Sequence, residues 1–166
     1  MKDDCLALYN AVGSPHPPLK AVLAGCEDIL LEYYDASEND YPKDCLYASS
    51  LDEIKAEKEA ADKHDFANIP ERKMYLWVLK DNQIRMIREA TPLQCGRGHA
   101  SHPNLTGGGE AIIGGELWFL KKDNGEVEVH MNLDSGRYTV RDVPTQFPEV
   151  MKLFECVGYN PQKLVV

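Results

Sequence analysis

Met74-Tyr75-Leu76-Trp77-Val78-Leu79 is apolar at six consecutive positions. A run this short, rich in aromatic and branched side chains and apolar on both alternating faces, predicts a strand buried on both sides. The constraint is strong, because any sheet built around it needs cover on each face. Lys80 to Gln83 is polar and turns the chain back into Ile84-Arg85-Met86-Ile87, so the two runs predict a hairpin. Gly115 to Leu120 is a third strand. Asp123-Asn124-Gly125 tolerates the positive φ angles of a tight turn and leads into a fourth, with Val127, Val129 and Met131 inward. Tyr138 and Val140 suggest a further strand, and 163–166 a pairing with a sheet edge.

The cover is predicted to be helical. Residues 3–12 form a short helix. Leu19, Val22, Leu23, Cys26, Ile29, Leu30 and Tyr33 recur at helical spacing after Pro15, Pro17 and Pro18, predicting about five turns. Ser50-Leu51-Asp52-Glu53 reads as a capping box opening a charged helix that ends before Pro70. Its few apolar residues (Leu51, Ile54, Ala61) place it on the surface. Phe147, Val150, Met151, Phe154 and Val157 make the last helix, with Thr145 as cap and Gly158 as stop. The expected fold is α+β in one domain, residues 1–166: N-terminal helices on a largely antiparallel sheet, then a C-terminal helix. Residues 1–70 are its mainly helical acidic part and 73–158 its sheet-rich part.

Between the second and third strands, from Glu89 to Gly115, 27 residues show no hydrophobic period and seven are glycine. A structureless span of that length inside a compact domain is usually functional or disordered. Glycine allows positive φ and close approach to a ligand, and successive amides in such turns can form an anion nest. The same glycines also suit a tight loop and a β-bulge. No Lys-Ser/Thr follows them, and no strand–GxGxxG–helix context surrounds them, so no nucleotide-cofactor motif is present and no cofactor is expected.

His102 is the candidate acid/base or ligand-orienting group. Glu116, opening a strand beside the glycine turns, is a candidate base or hydroxyl anchor. Arg137, between Gly136 and Tyr138, suits phosphate or carboxylate recognition. Arg97, Thr106, Gly107, Gly108, Gly109, Ser135 and Tyr138 are candidate ligand contacts. Cys95, His99 and His102 have spacing compatible with three zinc ligands or with a Cys–His pair, although a fourth zinc ligand would have to come from His130 or Cys156.

The net charge of −9 is uneven. Residues 1–70 carry 15 acidic and 6 basic groups, whereas 71–105 carry 3 and 6. Such a chain has no general attraction for nucleic acid or anionic lipid. Its one positive segment runs into the glycine-rich span, where a small anionic partner would be welcome. The acidic N-terminal part is a possible protein-contact face. No apolar run approaches the roughly 18 residues that a membrane helix needs. Residues 1–5 show no export signal, so the expectation is a cytoplasmic chain whose five cysteines are reduced thiols.

From Lys73 to Gly158, and densely from His102 to Tyr138, the sequence resembles a bacterial domain family without a settled activity. The pattern is His-x-x-Leu-x-Gly-Gly, then Gly-Gly-Glu-Leu or Ala-Gly-Glu-Leu, then Ser-Gly-His/Arg-Tyr. It is similar to C-terminal domains of polymorphic toxins and to the C-terminal region of plant calmodulin-binding IQ-motif proteins. His102, Leu105, Gly108, Gly109, Gly115, Glu116, Leu117, Ser135, Gly136 and Tyr138 fall on the pattern. Arg137 stands where many relatives have histidine, no proline follows Tyr138, and no IQ motif is present, so calmodulin binding does not carry over. Three readings remain open: an enzyme or toxin-type domain acting on a nucleotide-like molecule, a module that binds such a molecule without turnover, and a protein-interaction domain. An ADP-ribosyltransferase-like version of the first rests on analogy with the Leu8-Tyr9 and Leu46-Tyr47-Ala48-Ser49-Ser50 segments and a late Glu. Asn10 stands there where that analogy expects arginine.

Overall fold

The computed structural model describes residues 1–20, 26, 28–38, 40–139 and 145–165. The apolar hairpin lies at its centre. Strands β3 (Tyr75–Lys80) and β4 (Gln83–Arg88) pair antiparallel through a two-residue turn. Asp81 and Asn82 both take positive φ there, 51° and 58°, the conformation whose twist matches a right-handed hairpin. Strand β5 (Gly114–Lys121) pairs with β3, and β6 (Val127–Met131) with β5, both antiparallel. Two short strands extend the sheet: β1 (Tyr34–Asp35) beside β4, and β2 (Tyr47–Ala48), parallel to the far part of β5. β7 (Pro161–Lys163) runs parallel to β6. The order across the sheet is β1-β4-β3-β5-β6-β7.

Both faces are covered, as the apolar run of β3 requires. On one face Trp77, Leu117, Phe119 and Met131 pack with α1 (Asp3–Val12) and α3 (Gln146–Val157). On the other, Leu76, Val78 and Trp118 pack with Ile54 of α2 (Leu51–Asp62), with Leu105 and with Tyr138. Gly158 ends α3 at φ 115°, its amide donating to the carbonyls of Phe154 and Glu155. Thr145 precedes α3 but makes no side-chain cap bond. Ser50 caps α2 by accepting from the Glu53 amide at 3.1 Å, while Glu53 reaches back to the Ser49 amide at 2.7 Å. Among the described residues no helix is long and apolar enough to cross a membrane.

Several expectations are corrected. Residues 29–33 are not helical: they run without regular structure into β1, with the Leu31 amide donating to Asn104 O at 3.0 Å. Asn104 Nδ2 donates to Ile29 O at the same distance, so backbone groups a helix would use are taken by a distant loop. Val22 and Leu23 lie outside the described residues. Tyr138 sits in a turn rather than a strand, and Val140 and Val166 lie outside the described residues. Helix α2 is not simply a surface element: Glu57 and Lys58 are buried. Nor are the cysteines all thiols. Cys5 is bridged to Cys156 and Cys26 to Cys95, with Cα separations of 5.7 and 6.0 Å, and Cys45 alone is free.

Candidate functional site

The site forms where β5 begins. A 3-10 turn at His102–Leu105 follows Ser101, whose amide and hydroxyl both donate to Asn104 Oδ1. The turn lays the His102 ring against Gly114 and Gly115, positions where a side chain would collide with neighbours. His102 Nε2 is 2.8 Å from Gly115 O. A carbonyl only accepts, so Nε2 carries the hydrogen and Nδ1 keeps its lone pair. Burial lowers the His102 pKa to about 4, the charges of Arg137 and Arg97 act the same way, and the bond to Gly115 opposes them. His102 is therefore a neutral imidazole at neutral pH.

The next residue along β5, Glu116, is held by a network from outside the glycine-rich span. Its amide donates to Asn132 Oδ1 at 3.0 Å, and Asn132 Nδ2 donates to Glu116 Oε1 at 3.1 Å. Lys58 Nζ, from α2, lies 2.9 Å from the same oxygen and also contacts Asp62 and Asp134. Burial raises the Glu116 pKa, and Lys58 and Asn132 partly offset it. Burial alone would lower the Lys58 pKa, but the surrounding carboxylates outweigh it and hold the ammonium charged.

His102, Glu116, Arg137, Arg97 and Ser135 line one cavity of about 300 Å³, at the small end of the roughly 300–1,000 Å³ typical of ligand pockets. Lys20 joins them, because the Leu19 amide donates to Arg137 O at 2.7 Å and draws the two segments together. Among the described residues neither Lys20 nor Arg97 has an ion-pair partner. The lining carboxylates have two cations behind them: Lys58 is shared by Glu116 and Asp134, and Arg72 Nη1 lies 3.0 Å from Glu89. A smaller cavity, about 140 Å³, lies beside the first and shares Glu116, Asp134, Ser135 and Gly136 with it.

The remaining candidates stand elsewhere. Thr106, Gly107, Gly108, Gly109 and Tyr138 are absent from the lining of this cavity. The amides of Gly108 and Gly109 donate to Pro103 O and Thr106 O, so they are engaged within the turn and form no anion nest. Tyr138 is buried; its hydroxyl donates to Gly109 O and lies 2.8 Å from Thr106 Oγ1, pinning the glycine turn. Cys95 is spent in its disulfide and cannot ligate zinc. His99 Nδ1 instead lies 2.6 Å from Glu89 Oε1, in an ion pair when the ring is protonated. Lys20, Lys58, Phe66 and Glu89 carry no site signal that the sequence made legible. Lys58 has i,i+4 spacing to Asp62, but that spacing is common on solvated helices.

His102 makes stability depend on pH. Its pKa is 6.5 when unfolded and about 4 when folded. Between these values the unfolded chain binds a proton that the native chain does not, so stability falls as pH drops from about 6.5 towards 4. The expected loss is about 3 kcal/mol. Glu116 acts oppositely, because its raised pKa lets the native state take up a proton more readily. Urea midpoints of the wild type and His102→Gln across this range check the assignment. Glutamine can still donate to Gly115 O but does not titrate, so the His102 part of the slope should vanish. Identical slopes would show that His102 is not the group responsible.

Comparison with protein-family models, with curated proteins and with solved structures finds no match to this chain.

Proposed function

We propose that the cavity binds a small anionic molecule of nucleotide-like size. One observation carries the proposal: Lys20, Arg97 and Arg137 come from three separate segments and meet on the same lining as buried, uncharged His102 and network-held Glu116. Lys20 and Arg97 have no ion-pair partner among the described residues, so an entering anion meets cations that are not already neutralised there. His102 Nδ1 and Glu116 then offer acceptors for hydroxyl groups of the same molecule.

The test is a thermal-shift and calorimetric screen against mononucleotides, NAD, ADP-ribose and sugar phosphates. A ligand at 100 times its dissociation constant should stabilise the protein by about 2.7 kcal/mol. Arg97→Ala or Arg137→Ala should weaken it about tenfold or more, as expected for a lost charge-assisted hydrogen bond. No shift from any member of the panel would overturn this reading in favour of a protein partner for the acidic N-terminal part.

A second reading, turnover of the bound molecule, is favoured by the pairing on one cavity of a histidine with a lowered pKa and a carboxyl group with a raised one. Chromatography of protein–ligand mixtures distinguishes it from simple capture. The ADP-ribosyltransferase-like version gains no support, since Tyr9 packs in the core of α1 and neither Tyr9 nor Tyr47 lines the cavity. The two disulfides favour an oxidising compartment over the cytoplasm. That fits an exported toxin-type domain, in keeping with the resemblance of the His102 to Tyr138 stretch.

A further inference from the structure

The lining of the cavity is not polar throughout. Phe66, on the connection between α2 and β3, lines it together with Met74 and Leu76 and packs against the buried cluster to which they belong. An aromatic ring has two faces. The guanidinium of Arg72 lies over one of them, its Cζ 4.3 Å from the ring centroid, and Arg72 does not line the cavity. Arg72 thus occupies one face of the ring from outside the cavity lining. Arg72 is itself fixed: its Nη1 is 3.0 Å from Glu89 Oε2, and its carbonyl accepts from Arg88 Nη2 at 3.3 Å. A half-buried ring held on one face loses little freedom when something packs on the other. Nothing in the anion-binding reading uses it.

We infer that Phe66 is a stacking platform for a planar heterocyclic ring, and that the ligand class is therefore a nucleoside phosphate rather than a sugar phosphate or a simple anion. This rests on the reading of the cavity as an anion site. The heterocycle packs on Phe66, flanked by Met74 and Leu76, and the phosphate is held by Lys20, Arg97 and Arg137. A base–aromatic stack is sequence-tolerant because every base offers a π-face, and its loss on alanine substitution weakens binding by about tenfold or more.

The experiment is calorimetric titration of AMP, GMP, UMP and ribose 5-phosphate into the wild type, Phe66→Ala and Phe66→Trp. At least one nucleotide should bind the wild type about tenfold or more tightly than ribose 5-phosphate. Phe66→Ala should erase that preference and leave the ribose 5-phosphate affinity unchanged, which also shows that the variant is folded. Phe66→Trp should keep the preference. If every nucleotide matches ribose 5-phosphate on the wild type, or if Phe66→Ala weakens all four alike, the stacking role is overturned and the anion site stands. If none of the four binds, both are overturned.

Discussion

Gly115→Ala should destabilise the protein by about 4 kcal/mol or more, an exceptional cost for a single methyl group. A Cβ at this position would overlap the Asn132 carbonyl oxygen and stand 2.9 Å from Cζ2 and Nε1 of Trp77. Neither obstacle can yield cheaply. The Asn132 carbonyl is backbone, and the Asn132 amide donates to Glu116 O. Trp77 is wholly buried in the core. Displacing Asn132 would also loosen Glu116, because the Asn132 side chain holds both its amide and its carboxylate. The control is Gly136→Ala. There the nearest atom is the flexible end of Lys20, 3.7 Å away, and the expected cost is within about 0.5 kcal/mol. Urea denaturation of the two variants measures the contrast. A Gly115→Ala protein as stable as Gly136→Ala would mean that β5 does not approach Asn132 as closely as described.

Reduction of the disulfides should lower the melting temperature by about 10–20 °C. Cys5 and Cys156 are 151 residues apart, and Cys26 and Cys95 are 69 apart. In the chain-entropy account, closing such loops stabilises by about 5 and about 4 kcal/mol respectively. The second loop lies inside the first, so their joint effect is smaller than the sum. Thermal unfolding with and without a dithiol, and of Cys5→Ser, separates the two bridges. Thiol labelling of protein purified without reductant should find one reactive group. That group is Cys45, and it should label slowly, because burial pushes its pKa up to about 11. Five labelled cysteines would show that the bridges do not form.

Much of the frame was legible in the residues themselves. The β3–β4 hairpin, β5, β6 and α3 each carry a local signal: an apolar run, an alternation, a turn dipeptide or a stop glycine. The error over residues 29–33 shows the limit of such signals. Ile29, Leu30 and Tyr33 have helical spacing, yet Asn104 competes for the backbone of this segment and wins, and Leu30 is left half-exposed. The candidate site divides in the same way. Unusual local chemistry pointed to His102, Glu116 and Arg137. Glycine-rich composition also pointed to the turn at 107–109, whose amides are engaged internally, because composition does not report which atom an amide faces.

The sequence alone determined the fold class and the hairpin at its centre, since the strands and helices that define them rest on local periods and turns. Only the tertiary structure decided which charged groups meet which partners: Lys58 and Glu116 across 58 positions, Lys20 on the same lining as Arg137, and Arg72 over the Phe66 ring. It also decided which cysteines pair. Each of these contacts joins segments that local propensity leaves independent. They come together because the sheet must be covered on both faces, and the elements that cover it bring their polar residues with them.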